Sequence, residues 1–438
     1  MKKTIRHTYS VCPACGRRLP AEIVVKDGAS YLEKSCPVHG DFSVLIWKNR
    51  RNLFTWLGDV KPLGPGENSG CPASCAENGL CGEHKNGTCC VVLEVTERCT
   101  LHCRYCFADK KNGPDIPFEE LRREMAAFVV PGRTLVQLSG GEPTLRDDLP
   151  ELTAAAKELG CKYVQLNSNG IRLAEDEGFV KKLAAAGLSF VFMQFDGIDD
   201  AIYRKLRGAP LFAVKERAIA NCAKYNLGVT LVPTIVPGVN DGAVGDILRY
   251  AVERSPAVRG VHFQPVAYMG RIPAIPDDVS RFTLDELMCA IEEQSGGLVK
   301  AENLQPSQCD HPLCGFHGDF IVKEDGTLYP LTRKREDASC CCCGADSPAD
   351  KNREFVGRRW QRAEDSCCGG KEAASGDMED MDYFLARLSS HGFTITSMAF
   401  QDAGSLDVER LRMCSLHVAK KGKLVPFCVN YLTLWDGD

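Results

Sequence analysis

The sequence predicts an α/β fold built on a partial, TIM-like (β/α)6 barrel, with small cysteine-rich metal-binding modules at both ends. Three observations support this fold class. Six short apolar runs, each ending near Gly, Pro, Asn or Asp, lie in the middle of the chain. Amphipathic helical patterns separate several of these runs. Most of the 24 cysteines lie outside this stretch, on either side of it.

The six apolar runs are typical of buried parallel strands, which are short and apolar on both faces. They occupy residues 91–95, 135–138, 163–166, 189–195, 229–236 and 261–266. Helical patterns lie at 117–130, 149–160 and 177–187. Pro117 suits the first turn of a helix, and Gly160 and Gly187 suit positions just past a helix end. In such a barrel the reactive face lies at the carboxyl ends of the strands.

Composition excludes several classes of protein. The 438 residues include 53 basic and 58 acidic side chains, and no basic stripe supports a nucleic-acid partner. No run of 18 apolar residues is present, so we expect no transmembrane segment. The N-terminal MKKTIRHTYS has no apolar region behind its lysines, so it does not read as a signal peptide. We expect a cytoplasmic protein, and its many clustered cysteines favour a reducing, anaerobic cell.

A three-cysteine motif follows the first apolar run. Cys99, Cys103 and Cys106 have CxxxCxxC spacing within one loop. Thiolates are the soft ligands that iron–sulfur clusters need, and three of them leave one iron open for another molecule. Spacing alone also allows a zinc loop with a remote fourth ligand, or cysteines that only pack.

The context of this motif resembles the radical S-adenosylmethionine (SAM) superfamily over roughly residues 90–300. Tyr105 precedes the last cysteine, and the next predicted strand ends in GGEP. The resemblance implies a catalytic [4Fe–4S] cluster on the three cysteines and a GGEP backbone that holds the methionyl amine of SAM. Glycines permit such a close backbone approach. The residues implied to bind the cofactor are Tyr105, Gly140, Gly141, Glu142 and Pro143.

Later strand ends fit the same interpretation. They supply short polar side chains for the ribose or carboxylate of SAM, and turn chemistry or satisfied core polar groups are the alternative. The candidates are Asn167, Ser168, Asn169, Gln194 and Asp196, together with His262, Gln264, Tyr268 and Arg271 further along the chain. Arg207 either pairs with a carboxylate of SAM or substrate, or is a solvated arginine at a helix end.

The flanking cysteines predict further metal sites. Cys12, Cys15, Cys36 and His39 have CxxC…CxxH spacing, which is typical of a tetrahedral site for zinc or, as in rubredoxin, a single iron. One or two auxiliary [4Fe–4S] clusters are expected in addition, with buried packing thiols as the alternative. Their candidate ligands are Cys71, Cys75, Cys81 and Cys89 or Cys90 for one cluster, and Cys309, Cys314, Cys414 and Cys428 for the other.

These sites divide the chain into four expected domains. They are a zinc-ribbon or rubredoxin-like module at 1–60, an auxiliary iron–sulfur segment at 61–90, the barrel at 91–300 and a cysteine-rich C-terminal domain at 301–438. Two hairpins are predicted in the last domain, at 320–332 and 416–434, with Cys414 and Cys428 on the second. Cys161, Cys222 and Cys289 are predicted packing residues, and Cys340–Cys343, Cys367 and Cys368 remain unassigned.

The order of cysteine motifs also resembles a narrower radical SAM subgroup. This subgroup contains the archaeal tetraether lipid synthase, proposed cobalamin-independent methyltransferases and TrsS-type proteins. The AEN stretch at 76–78 and the CCCC insert depart from its pattern. The resemblance implies reductive cleavage of SAM to a 5′-deoxyadenosyl radical, which abstracts hydrogen from the substrate.

The same resemblance implies C–C bond formation or alkylation on a lipid or other apolar small molecule. Ferredoxin or flavodoxin is the type of electron donor expected. One alternative is radical modification of a peptide or protein partner. The other is a non-catalytic iron–sulfur scaffold for electron transfer, which predicts no SAM binding.

Overall fold

The N-terminal residues fold into an antiparallel four-stranded sheet in the order β1-β2-β3-β4. The computed structural model describes residues 2–58, 70–109, 113–332, 347–362, 378 and 380–435. Cys340–Cys343, Cys367 and Cys368 lie outside the described residues. The CPxC and CPxH motifs occupy the β1–β2 and β3–β4 turns. The first elements are β1 (Lys3–Val11), β2 (Arg18–Lys26), β3 (Ala29–Cys36), β4 (Gly40–Trp47) and the short helices α1 (Leu53–Leu57) and α2 (Ala73–Asn78).

All six predicted strands form, and they pair in parallel in the order β5-β6-β7-β8-β9-β11. Their apolar runs are buried on both faces, which explains why the sequence signal was clear. The short β10 pairs only with β11. The strands are β5 (Cys90–Thr96), β6 (Leu135–Gly140), β7 (Tyr163–Ser168), β8 (Phe190–Gln194), β9 (Gly228–Val232), β10 (Thr234–Ile235) and β11 (Val258–Pro265).

Helices follow the barrel strands, and the three predicted helical patterns are confirmed. Pro117 is the N-cap residue rather than the first helical residue. Gly160 and Gly187 follow helix ends with φ angles of 96° and 91°, as expected for residues that reverse the chain. The helices are α3 (Phe118–Phe128), α4 (Leu149–Glu158), α5 (Ile171–Glu175), α6 (Glu177–Ala185), α7 (Asp200–Arg207), α8 (Phe212–Lys224), α9 (Val244–Glu253) and α10 (Leu284–Gln294).

The tail supplies the remaining elements. Its strands are β12 (Gln305–Pro306), β13 (Phe316–Val322), β14 (Leu328–Pro330), β15 (Gly392–Ser397), β16 (Leu416–Lys420) and β17 (Lys423–Pro426). Its helices are α11 (Pro348–Trp360), α12 (Met381–His391), α13 (Val408–Arg412) and α14 (Phe427–Asn430). Both predicted hairpins form, as β13–β14 and β16–β17. Cys414 precedes β16 and Cys428 lies on α14, so both flank the second hairpin instead of lying on its strands.

Tail strands also extend the barrel sheet at both edges. β15 pairs in parallel with β11, and β13 pairs antiparallel with β15. At the other edge β16 pairs in parallel with β5. An open barrel leaves unpaired backbone groups on its two edge strands, and the tail satisfies them. Thirteen described strands thus form one sheet.

One large apolar core joins these elements. It runs from Trp47 and Leu53 in the N-terminal part, through the barrel strands, to Phe393 and Ile395 of β15. The N-terminal sheet, the barrel and the tail therefore share one core, which holds the carboxyl ends of the barrel strands in place. Among the described helices, none combines the length and the hydropathy that crossing a bilayer requires.

Candidate active site

The loop after β5 carries Cys99, Cys103 and Cys106 and is fixed on one side by the GGEP segment. The backbone N–H of Gly141 donates to the carbonyl of Thr96 at 2.8 Å, and that of Glu142 donates to the carbonyl of Arg98 at 2.7 Å. A Cβ on Gly141 would lie 2.1 Å from the Arg98 oxygen. The glycine is therefore required by the cysteine loop itself, whose backbone lies against this strand end.

Arg271 holds the other side of the loop. It exchanges two backbone hydrogen bonds with Cys106, of 3.2 and 2.9 Å. Its guanidinium donates to the carbonyl of Cys103 at 3.0 Å and pairs with Asp109 at 2.7 Å. A loop that lacks regular secondary structure is thus anchored from two directions.

The three thiols line one end of a cavity of about 320 Å³ at the carboxyl ends of the strands. All three are half-buried. Burial raises the pKa of Cys99 to about 11 and also raises the pKa of Cys106. A thiolate is costly here without a positive partner, and iron supplies that partner. The site therefore fits an iron–sulfur cluster held by three thiolates.

Glu142 is buried and connects two strand ends. One carboxylate oxygen accepts bonds from the Thr144 hydroxyl at 2.6 Å and from the Ser168 hydroxyl at 2.8 Å. The other accepts from the backbone N–H of Asn169 at 2.6 Å. Its hydrogen-bonding capacity is largely used within the protein, so Glu142 shapes the site more than it offers a free acceptor. Pro143 is buried in the next turn and does not line the cavity.

The ends of β7 and β8 also bring their predicted residues to the cavity. Asn167, Ser168, Asn169 and Gln194 line it, and Tyr105 does so from the cysteine loop. The amide nitrogen of Asn169 donates to the hydroxyl of Thr100 at 3.2 Å, which adds another link to that loop. The Tyr105 ring meets the Tyr268 ring edge-on, with centroids 6.0 Å apart.

Arg207 is buried, so the alternative that it is a solvated arginine at a helix end is wrong. Its guanidinium forms a two-pronged pair with Asp196, at 2.7 and 2.8 Å. The carboxylate that Arg207 pairs with thus belongs to the protein, and Asp196 does not line the cavity. The Gln194 amide also contacts Asp196.

Lys215 is a residue of this site that the sequence analysis missed. It is fully buried on α8, and its ammonium donates to the Asn169 carbonyl at 2.5 Å and to the Gln194 amide oxygen at 2.8 Å. Burial lowers the pKa of Lys215 to about 7. A single lysine in an amphipathic helix pattern carries no motif, so no sequence signal marked it.

The N-terminal donors Cys12, Cys15, Cys36 and His39 lie within 4.8 Å of one another. The His39 Nδ1 atom is 3.6 Å from the Cys12 sulfur and 3.5 Å from the Cys36 sulfur. The backbone N–H of Val38 and the His39 ring lower the pKa of Cys36 to about 6. Three sulfurs and one imidazole nitrogen at this spacing suit a tetrahedral metal ion.

The first predicted auxiliary group is brought together only in part. The sulfurs of Cys71, Cys75 and Cys81 lie within 4.8 Å of one another, and those of Cys71 and Cys75 are 3.2 Å apart. Cys89 lies elsewhere: it lines the cavity, and its thiol contacts that of Cys309. Cys90 begins β5 and also lines the cavity.

The second predicted group is divided in the same way. Burial raises the pKa of Cys314, Cys414 and Cys428, and the Cys314 thiolate would further raise the pKa of Cys414 and of Cys428. Buried Arg410 contacts Cys314 and lies near Cys428. The Cys309 thiol is instead hydrogen-bonded to the Cys89 thiol.

Comparisons with known proteins agree with this geometry. A family model described as the Radical SAM superfamily matches residues 93–251, and one for the HMPTM N-terminal zinc ribbon domain matches residues 4–48. The 7,8-dihydro-6-hydroxymethylpterin dimethyltransferase of Methanocaldococcus jannaschii is 33% identical over 485 aligned positions, which cover 98% of this chain and 94% of that protein.

Other relatives match over shorter stretches. The Fe-coproporphyrin III synthase of Methanosarcina barkeri is 39% identical over 153 residues, which cover 33% of this chain and 36% of that enzyme. Among solved structures, methylornithine synthase is 17% identical, with a TM-score of 0.38 over 51% of this chain and 66% of its own.

The match to the dimethyltransferase extends over nearly the whole of both chains, from the zinc ribbon to the tail. Enzymes of the radical SAM superfamily use a [4Fe–4S] cluster and SAM, and the further cysteine groups of this chain support additional metal sites. This chain is therefore an enzyme of the radical SAM superfamily and belongs to the family of the 7,8-dihydro-6-hydroxymethylpterin dimethyltransferase.

Proposed function

We propose that this enzyme methylates a reduced pterin, with Cys99, Cys103 and Cys106 as ligands of its SAM-binding [4Fe–4S] cluster. The observation that carries the proposal is the full-length correspondence with an enzyme whose name gives that substrate and that reaction. The correspondence includes the zinc ribbon and the tail as well as the barrel. A shared catalytic barrel alone would not identify the substrate, because one fold supports many reactions.

The residues around the cavity have distinct roles in this proposal. A bound cluster supplies the electron that cleaves SAM, which starts hydrogen-atom abstraction from the substrate. Gly140 and Gly141 present their backbone to the methionyl part of SAM, and Asn167 and Asn169 offer amides to its polar groups. Lys215 holds the Asn169 carbonyl and so positions that strand end from behind.

The cavity lining is mainly apolar, but its amide groups suit a small heterocycle with polar edges better than the lipid or other apolar molecule expected from the sequence. Amide side chains of Gln137, Gln165 and Asn167 follow neighbouring strands β6 and β7 into the cavity. The Gln165 amide oxygen has no hydrogen-bond partner among the described residues, and a hydrocarbon chain would supply none. A pterin carries matching donors and acceptors on its edges.

The overall reaction replaces a C–H bond of the pterin with a C–CH3 bond, so it is both an alkylation and a C–C bond formation. The abstracted hydrogen leaves on 5′-deoxyadenosine. The carbon comes from a one-carbon donor of the SAM or reduced-folate class, and the electrons come from a carrier such as ferredoxin or flavodoxin. The cavity would exclude water from the radical steps.

The same proposal assigns the remaining metal sites. Cys12, Cys15, Cys36 and His39 hold zinc or a single iron that stabilises the N-terminal module. The groups Cys71, Cys75, Cys81 and Cys314, Cys414, Cys428 supply ligands to auxiliary clusters. All of these clusters require the reducing surroundings expected from the sequence.

The test uses the anaerobically reduced holoenzyme with SAM, a one-carbon-loaded reduced folate and 7,8-dihydro-6-hydroxymethylpterin. We expect 5′-deoxyadenosine together with pterin products heavier by one or two CH2 units. Isotopic labelling of the SAM methyl group identifies the carbon source. Replacing Cys99, Cys103 and Cys106 together with Ala should abolish both products. Formation of 5′-deoxyadenosine with every pterin left unmethylated would refute the substrate.

A further inference from the structure

The wall of the cavity that is formed by β6 and β7 carries a chain of hydrogen-bonded amides. The Gln165 amide nitrogen donates to the Asn167 oxygen at 2.7 Å. The Asn167 amide nitrogen in turn lies 3.4 Å from both the Gln137 amide oxygen and the Ser139 hydroxyl. These hydrogen bonds fix the orientation of the Gln165 amide, because the Gln165 nitrogen is the atom that donates to Asn167.

Two oxygens of the cavity lining have no hydrogen-bond partner among the residues that the structure describes. The Gln165 amide oxygen and the Ser397 hydroxyl are both shielded from solvent and make no hydrogen bond. Gln165 is 0% exposed and Ser397 is 4% exposed, and both residues line the cavity. A buried polar atom without a partner costs free energy, of the order of 1–3 kcal/mol. A ligand that supplies a hydrogen bond to each oxygen removes this cost.

Aromatic side chains line the same cavity. The rings of Phe192 and Trp360 have centroids 4.7 Å apart, and the Phe192 and His262 centroids are 5.1 Å apart. The indole nitrogen of Trp360 donates to Thr394, so its polar atom is already satisfied. Burial lowers the pKa of His262 to about 4, so its imidazole is uncharged at neutral pH. The Phe192 ring is tilted by 50° from Trp360 and by 41° from His262, so a planar ring can stack on one of these faces and pack against the edge of another.

The charges of the cavity select against anionic substrates. Among the described residues that line it, Arg207 is the one Arg or Lys side chain, and its guanidinium is paired with Asp196. Asp310 is buried there and accepts a 2.7 Å bond from the backbone N–H of Ser415. A phosphate group would find no unpaired cation, whereas an uncharged ring with N–H groups on its edge needs none.

We propose that Gln165 and Ser397 form the recognition edge of a substrate compartment, in which a planar lactam heterocycle packs against Phe192 and Trp360. The N–H donors of its edge bond to the Gln165 oxygen, and the Ser397 hydroxyl bonds to another polar atom of the ring. This assignment rests on the proposed function, because it treats the pterin as the occupant. The assignment adds to the proposed function the residues that discriminate between a lactam heterocycle and an apolar ligand.

The test measures binding rather than turnover, with the unreduced holoenzyme saturated with SAM. Anaerobic calorimetry is used with 7,8-dihydro-6-hydroxymethylpterin, with guanosine as a second lactam heterocycle, and with decanoate as an apolar ligand. Gln165→Met and Ser397→Ala should each weaken pterin binding by about tenfold or more, because each removes a hydrogen bond to a buried group.

Thr230→Val is the matched control. Thr230 is also fully buried with an unpartnered hydroxyl, but it does not line the cavity. Its replacement should leave pterin affinity unaltered.

The outcomes separate the two proposals. If the pterin binds and both variants bind it as tightly as the wild type, the compartment is wrong and the function stands. If guanosine binds in place of the pterin and Gln165→Met weakens it, the compartment stands and the pterin function is wrong. If decanoate alone binds, both are wrong.

Discussion

The carboxylate of Glu142 accepts a 2.6 Å hydrogen bond from the backbone N–H of Asn169 and so ties the end of β6 to the end of β7. Both strand ends border the cavity, and Asn169 continues the connection to Thr100 in the cysteine loop. A single buried acid therefore sets the spacing of three segments that surround the SAM site. Its place in the GGEP motif is explained by what it holds inside the protein.

Replacing Glu142 with Gln should damage both stability and SAM binding. The amide nitrogen would face donors that now point at a carboxylate, and the charge-assisted bonds would be lost. We expect a loss of about 2 kcal/mol in the free energy of unfolding, and weaker SAM binding. Urea unfolding and SAM titration measure the two effects. Glu158→Gln, at an exposed position on α4, is the control and should behave as the wild type. An unchanged SAM affinity in Glu142→Gln would show that the link is dispensable.

Gly141→Ala should displace the cysteine loop. The added Cβ would lie 2.1 Å from the carbonyl oxygen of Arg98, so either the loop or the strand end must move. We expect reconstituted protein to lose iron and sulfide equivalent to one [4Fe–4S] cluster, with the other metal sites retained. Gly242→Ala is the control, because a Cβ there meets no atom within 4 Å. Full cluster content in Gly141→Ala would mean that the loop tolerates the shift.

Local patterns in the sequence predicted the barrel strands and the cysteine loop, because periodicity and spacing depend on neighbouring residues. Pairings between distant segments could not be predicted in the same way. The run 392–397 becomes β15 only because the edge of β11 is open to it. Cys89 is close in sequence to Cys81, but β5 begins at Cys90 and carries Cys89 to the cavity. The burial of Lys215 depends on strand ends that are brought to it from elsewhere in the chain.

The position of Cys89 leads to a prediction about the first auxiliary metal site. The Cys71 thiol hydrogen-bonds to Cys75 and lowers the pKa of Cys75 to about 6, which favours a thiolate ligand there. In a background with Cys99, Cys103 and Cys106 changed to Ala, Cys75→Ser should remove further iron and sulfide. Cys89→Ser in the same background should retain them. Equal losses in both variants would make Cys89 a ligand of that site.

The buried amine of Lys215 makes the free energy of unfolding depend on pH in the neutral to alkaline range. Burial lowers its pKa to about 7 from an ordinary value of 10.5. Between these two values the unfolded chain binds a proton that the folded chain does not, so the free energy of unfolding rises with pH across that window. The unfavourable contribution of this group is largest below about pH 7 and is lost as the pH rises toward 10.5.

Comparison with Lys215→Met isolates this contribution. Titrating groups common to both proteins cancel, so the wild type should gain ~2 kcal/mol relative to the variant between pH 7 and pH 9. The free energy of unfolding in urea, followed by tryptophan fluorescence under anaerobic conditions, measures the difference at each pH. Lys224→Met is the control on the same helix, because that lysine is exposed and pairs with Glu177. It should show no such gain. A constant difference between the wild type and Lys215→Met would show that Lys215 keeps its proton throughout the range.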